Sequence, residues 1–269
     1  MDGDLMTQLA DRYAEVMGRV AQAAQRSGRS ADSVYTIAVT KYAEPEDIRE
    51  LITLGHRDFG ENRVQQLAQR AGVIEEWFDR IRTLPRTSSD IEPINVNDPV
   101  RWHMIGHLQR NKVRKIADCT RLIHSIDSLR LAEELQVVAN KIDRVIDVLV
   151  QVNVSGEESK TGLPIAALGA IAEQIDTMIN VRVRGLMTMA PLTDDPEASR
   201  PHFARCKEIY DDLVKAGVGE DHFNLLSMGM SGDFEVAIEE GANIVRVGTA
   251  IFGEREVEES LEHATDTAH

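Results

Sequence analysis

The stretch FNLLSMGMSGDFEVAIEEGANIVRVGTA, residues 223–250, decides the fold of this 269-residue chain. It holds two short apolar or β-branched runs, FNLLSMG (223–229) and ANIVRVGTA (242–250), around GDFEVAIEEGA, in which Phe234, Ala237 and Ile238 fall at helical spacing. Each run is too short for a helix. A helix between two strands is the usual way to bring a chain back to where a parallel neighbour starts. The stretch therefore predicts a β-α-β unit with a Gly- and Ser-rich loop at the carboxyl end of its first strand.

The same unit recurs upstream. YTIAVTK (35–41) precedes PEDIRELITLG, RDFGEN (57–62) precedes RVQQLAQRAG, and WHMIGH (102–107) precedes LQRNKVRKIAD. RLIHSI (121–126) precedes DSLRLAEELQVVANKI, VLVQVNV (148–154) precedes LPIAALGAIAEQI, and VRGLMTM (183–189) precedes ASRPHFARCKEIYDDLVKAG. With the two runs of the opening stretch there are eight strands. A doubly wound sheet usually stops at about five to seven, so the count predicts an α/β fold of the (β/α)8 TIM-barrel class, a body of about 250 residues. Residues 1–253 are expected to form it as a single domain. Leu5, Leu9, Tyr13, Val16, Met17 and Val20 add an extra N-terminal helix over 5–27, closed by Gly28. Segment 78–100 holds three prolines and little periodicity and reads as a loop insertion before the third strand. Residues 254–269, with six acids against one arginine, read as a solvated acidic tail.

Composition narrows the partners. The chain is 42% hydrophobic and 28% charged, which suits a soluble globular protein. Its 45 acidic and 30 basic side chains give a net charge of -15, and such a surface repels phosphate backbones and anionic lipid. Neither nucleic acid nor membrane is an expected partner. Cys119 and Cys206 lie far apart with no CxxC spacing and read as packed thiols. The acidic start MDGDLMTQLADRYAEV is unlike a signal peptide, and no run approaches the roughly 18 apolar residues of a membrane span, so a cytoplasmic protein is expected.

Active sites of such barrels gather at the carboxyl ends of the strands, often with a phosphate site in the loops after strands seven and eight. Ser227, Gly229, Ser231 and Gly232 occupy the first of these loops, Gly248 and Thr249 the second. Either loop alone could be a plain turn. Both at the expected positions favour phosphate binding. Lys41 ends strand one; it could snorkel to water, or share the inward face with Val39 and offer the amine that forms Schiff bases. Lysine and phosphate cradle together fit pyridoxal 5′-phosphate. Arg246 shares strand parity with Ile244 and Gly248, so it is either a surface ion pair or an inward cation facing the cofactor ring. There it can only donate, which leaves a pyridine nitrogen unprotonated and the ring a weak electron sink.

Several segments carry a resemblance: AVTK (38–41), RDFGENRVQQL (57–67), WHMIGHLQRNKVRKI (102–116), HSIDS (124–128), QVNVSGEESKTG (151–162), VRGLMTMAP (183–191), LSMGMSGDFEVAIEEGA (226–242) and VRVGTAIFG (245–253). In this combination the chain resembles the pyridoxal phosphate homeostasis protein family, single-domain relatives of the alanine racemase N-terminal barrel. The resemblance implies that Lys41 holds the cofactor covalently, that Ser231, Gly232, Gly248 and Thr249 hold its phosphate, that Arg246 faces the ring nitrogen and that Asn62 lines the ring. Met228 matches another position at the pocket, as do His103 and Ser125. Two departures stand out. Pro45 lies four residues after the lysine, where the family usually has proline at three, and segment 78–100 is longer than usual.

Other residues carry weaker expectations. His103 and His107 are four apart in a strand, which does not converge on a metal, so packing or rim contacts are expected and no metal site is assigned. Lys160 could close over the mouth or stay solvated. Met187 and Met189 are expected to fill the barrel. The family resemblance implies a monomeric carrier or buffer of the cofactor in vitamin B6 and amino-acid balance, delivering it to recipient apo-enzymes, with no catalytic residue of its own. The alternatives are a racemase- or decarboxylase-type enzyme and a cofactor-free lyase using Lys41. Racemases of similar fold carry a further C-terminal domain that supplies a second acid/base tyrosine. After Gly253 only 16 residues follow, without a tyrosine, so a carrier is expected.

Overall fold

The computed structural model describes residues 2–83, 94–157 and 161–253, with side chains from residue 8 on. Eight parallel strands form its centre: β1 (Tyr35–Val39), β2 (Asp58–Glu61), β3 (Arg101–Met104), β4 (Thr120–Ile126), β5 (Ile146–Asn153), β6 (Val181–Met187), β7 (Leu225–Ser227) and β8 (Ile244–Val247). Each pairs with the next. β8 returns to β1 in the register Tyr35↔Ile244 to Ala38↔Val247, which closes the barrel. A two-residue strand, Leu163–Pro164, only extends the end of β5.

Alternation along the strands divides the apolar residues between two cores. Ile37, Leu122, Leu149, Met187 and Ile244 point inward and form a small interior cluster. A far larger cluster lies between strands and helices. Most of the hydrophobic stabilisation therefore sits outside the barrel, and the interior has room for polar groups. With both faces covered, β5 reads as a near-continuous buried run rather than an alternating one.

The helices are α1 (Asp2–Arg26), α2 (Pro45–Thr53), α3 (Val64–Thr83), α4 (Leu129–Lys141), α5 (Ile165–Asp176), α6 (Arg200–Lys215), α7 (Phe234–Glu239) and α8 (Thr249–Phe252). α8 is a single turn. α1 packs on α7, α8 and α2, and so fills the place in the outer ring that a full eighth helix would take. Arg12 of α1 donates from Nε to the Ile251 carbonyl at 2.8 Å, and Arg19 makes two bonds to Glu235 at 2.8 and 3.0 Å. The N-terminal helix thus pins the turn that begins at Thr249, at the mouth of the barrel.

Three expectations need adjustment. The segment read as a loop from residue 78 is still helical to Thr83, because Leu67, Ile74 and Phe78 continue one buried stripe. The segment after β3 forms a 3-10 helix at Arg110–Lys115 rather than an α-helix; only Val113 of it is buried, too little to dock a longer helix. The N-terminal helix begins at Asp2 rather than residue 5. Residues 84–93, Lys160 and the tail 254–269 lie outside the described residues.

Candidate cofactor site

A cavity of about 540 Å³ opens at the carboxyl ends of the strands, and Lys41, Asn62, Ser231, Gly232, Arg246, Gly248 and Thr249 all line it. Lys41 follows β1 on the inward face shared by Ile37 and Val39. Its Nζ lies 4.5 Å from the centre of the Tyr42 ring. The turn that presents it is braced from behind. Glu61, fully buried, accepts from Arg70 and from the Thr40 hydroxyl. Arg70 also donates to the carbonyls of Thr40 and Ala43, on either side of Lys41. One guanidinium thereby ties the lysine turn to β2.

Pro45, the shifted proline, occupies the first turn of α2, where a missing N–H leaves no bond unmade. Glu44 caps the helix and closes a reciprocal capping box with Asp47. The displacement is absorbed by the helix start, away from the cavity.

The loops after β7 and β8 are stitched together by Ser231, whose Oγ accepts from the amides of Gly248 at 3.1 Å and Ala250 at 3.3 Å. Among the described residues the amides of Ser231, Gly232 and Thr249 find no acceptor, so three donors remain around the same end of the cavity. Gly229 makes this turn possible. Its φ is +94°, and a Cβ there would stand 2.6 Å from that of Ala237 and 2.9 Å from the Phe234 Cα. The Asp233 carboxylate is turned back onto the Met230 amide at 2.7 Å.

Arg246 projects from β8 into the barrel and is 4% exposed. It donates from Nη1 to Ser227 Oγ at 2.7 Å and from Nη2 to the Thr188 carbonyl at 3.0 Å, which leaves further N–H donors for a ligand. Burial pushes its pKa down to about 10, so it is a cation at neutral pH. Across the cavity, Asn62 Oδ1 is buried without a partner. Gly106 presses against this residue, and a Cβ there would come within 2.3 Å of the Asn62 carbonyl oxygen. A ligand that meets an amine, a cation, an orphaned amide oxygen and a set of free amides fits this donor and acceptor pattern. Pyridoxal phosphate is such a molecule.

Residues 10–256 match the family described as alanine racemase, N-terminal domain. A pyridoxal phosphate homeostasis protein from Aquifex aeolicus is 41% identical over 246 residues, 91% of this chain and 97% of its own. The chain belongs to the pyridoxal phosphate homeostasis protein family. PipY of Synechococcus elongatus, solved with PLP bound, is 33% identical and superposes with a TM-score of 0.73 over 91% of this chain and 100% of its own. Alanine racemase of Clostridium difficile shares the fold at a TM-score of 0.64 and 12% identity, over 94% of this chain and 57% of the racemase.

Not every residue singled out in this family member reaches the cavity. Met228 is fully buried in the outer core, because Ser227 takes the inward position of β7 and the next side chain must point out. Met230 lines the cavity in its stead. His103 lies inside the barrel below the cavity, bonded to His124 and Asp58, while His107 stands at the rim 3.1 Å from Asp127. Ser125 donates to the Gly106 carbonyl at 2.6 Å and so supports the wall from behind. Met187 fills the barrel as expected, whereas Met189, two residues on along the same face, emerges at the mouth and is 40% exposed. Tyr42, Gln151 and Thr161 also line the cavity; the last two lie in segment 151–162 of the resemblance without having been singled out, and Gln151 continues the inward face of Leu149. His124 follows Leu122 on the inward face of β4, an alternation visible in the sequence.

Two outcomes follow. Glu61→Ala leaves Arg70 without its buried counter-charge and should cost about 3–5 kcal/mol in urea unfolding, with Glu61→Gln recovering part of that. Burial holds His56, His103 and His124 below their ordinary pKa, so on lowering the pH the unfolded chain takes up these protons first. Stability should be full above pH about 6.5 and fall below it by up to about 1.4 kcal/mol per pH unit per histidine. Unfolding curves measured through that range check it.

Proposed function

We propose that this protein binds pyridoxal 5′-phosphate at the barrel mouth and carries or buffers it, serving intracellular vitamin B6 and amino-acid homeostasis without turning over a substrate of its own. One observation carries the reading: the Lys41 amine, the buried Arg246 cation, the orphaned Asn62 oxygen and the free amides of Ser231, Gly232 and Thr249 converge on one cavity. The relative PipY, solved with PLP bound, supports it.

In this reading Ser231, Gly232, Gly248 and Thr249 hold the phosphate, Lys41 is the attachment point, and Asn62 lines the ring. When bound, the cofactor supplies an aldehyde to an amine and a pyridine ring that can withdraw electrons. Arg246 can only donate, so it keeps the ring nitrogen unprotonated and weakens that withdrawal. Among the described lining residues, the groups besides Lys41 that could exchange a proton are poorly placed for it. Tyr42 stacks under Lys41 on the same side, His107 is engaged by Asp127, and Asp233 by the Met230 amide. This supports a carrier rather than a two-base enzyme. A cytoplasmic monomer that passes the cofactor to recipient apo-enzymes completes the proposal. No helix of the described residues is long and apolar enough to cross a membrane.

After incubation with pyridoxal phosphate and desalting, the protein should keep a visible absorption band, and borohydride reduction followed by peptide mapping should place the adduct on Lys41. Lys41→Ala should lose the adduct and weaken binding at least about tenfold. Incubation with amino acids should give racemisation or decarboxylation no faster than free cofactor; faster turnover would favour the enzyme.

A further inference from the structure

The barrel interior holds a line of polar groups that cofactor contacts alone do not require. Arg246 Nη1 is 2.7 Å from Ser227 Oγ, and that oxygen is 3.0 Å from His124 Nδ1. His124 Nε2 is 3.0 Å from His103 Nδ1, and His103 Nε2 is 3.2 Å from Asp58 Oδ1. The four contacts run from β8 through β7, β4 and β3 to β2. Asp58 stands at the amino end of β2, where Arg101 holds it with two bonds of 2.8 Å each, while Asn62 on the same inward face stands at the cavity. The line therefore crosses the barrel from the candidate cofactor site to the opposite, water-facing mouth.

Donor and acceptor chemistry gives it a direction. A guanidinium can only donate and an ionised carboxylate can only accept. Ser227 Oγ must accept from Arg246. If the imidazoles are neutral, Asp58 requires the proton of His103 on Nε2, which leaves Nδ1 to accept. His124 must then donate from Nε2 and accept at Nδ1, and the Ser227 hydroxyl supplies that proton. Every contact on the path then has one donor and one acceptor, and all four donate in the same direction, from Arg246 toward Asp58. The reversed order would set two lone pairs facing each other at Asp58.

We propose that Ser227, His124 and His103 are positioning residues that form this one-way hydrogen-bond chain, with both imidazoles neutral and protonated on Nε2. The chain fixes the Arg246 guanidinium toward the cavity and couples its orientation to the Asp58–Arg101 pair at the far mouth. Its consequence for cofactor binding rests on the function proposed above; the direction of the chain does not. Neutral rings suit the surroundings. His103 meets Asp58 from β2, Arg101 from its own strand and Arg121 from β4, and His124 meets His103 and Arg246, with Asp233 and Cys206 acting on Arg246 from the loop before α7 and from α6. A proton added to His124 would face Arg246, and one added to His103 would gain from Asp58 but meet Arg101 and Arg121 and the cost of burial, which prevails.

The test has two arms. In protein labelled with 15N-histidine and free of cofactor, two-bond 1H–15N correlation should show His103 and His124 as Nε2–H tautomers that do not titrate from about pH 8 to 5.5. A ring protonated on Nδ1, or on both nitrogens, in that range overturns the chain. The second arm compares His124→Gln, which can still accept at one end and donate at the other, with His124→Leu, which can do neither. The Leu variant should bind pyridoxal phosphate about tenfold more weakly and shift the absorption band of the bound cofactor, while the Gln variant stays near the wild type. Equal behaviour of the two variants reduces His124 to packing and overturns its positioning role. If the wild type takes up no pyridoxal phosphate, the functional reading falls and the tautomers alone decide the chain.

Discussion

The guanidinium of Arg246 is held inside a closed barrel, almost wholly removed from water. Such a charge is costly unless its surroundings are polar and fixed, and those surroundings occupy much of the interior. Ser227 and the Thr188 carbonyl accept from it, and the Asp233 carboxylate balances it from the loop above. This is why the interior apolar cluster is so small. Residues that would fill a purely structural barrel are replaced by histidine, serine and arginine, and the cation keeps donors to spare at the cavity floor.

Because the interior is given over to polar groups, the fold leans on the layer outside. The large core between strands and helices supplies the apolar burial, and α1 completes the ring beside the single turn of α8. The two halves of the candidate site are braced in different ways. A buried Glu61–Arg70 pair holds the lysine turn, whereas Ser231 and the glycine at 229 shape the opposite loops through backbone amides. A frame braced in this way sets an amine and a group of free amides around one cavity without help from the exposed rim, where Leu192 stands almost fully in solvent.

Much of this was legible because strand parity is a strict rule. Val39 with Lys41, and Ile244 with Arg246 and Gly248, could be set on one face from alternation alone, and the barrel then brought both faces to one mouth. Met228 rests on the resemblance alone, and strand parity corrects it: Ser227, bonded to Arg246, takes the inward position of β7 and turns Met228 outward, which the sequence of β7 does not announce. Helical spacing carried α3 past the point where the prolines suggested a loop, since Phe78 still had a core to meet. The polar line through the barrel was hidden for another reason. Each member sits on a different strand, and the β3–β4 register shifts beside His103, so no local pattern relates them. Closure of the barrel alone brings them together.

One cavity is lined by an amine, a cation and three free amides, proposed above to take a single ligand, and a crystal structure of the protein grown with pyridoxal phosphate tests this most directly. The phosphate should lie on the amides of Ser231, Gly232 and Thr249, with the ring nitrogen within hydrogen-bond reach of Arg246 and continuous density from the ligand to Lys41 Nζ. A phosphate bound elsewhere, or a ring turned away from Arg246, would contradict it.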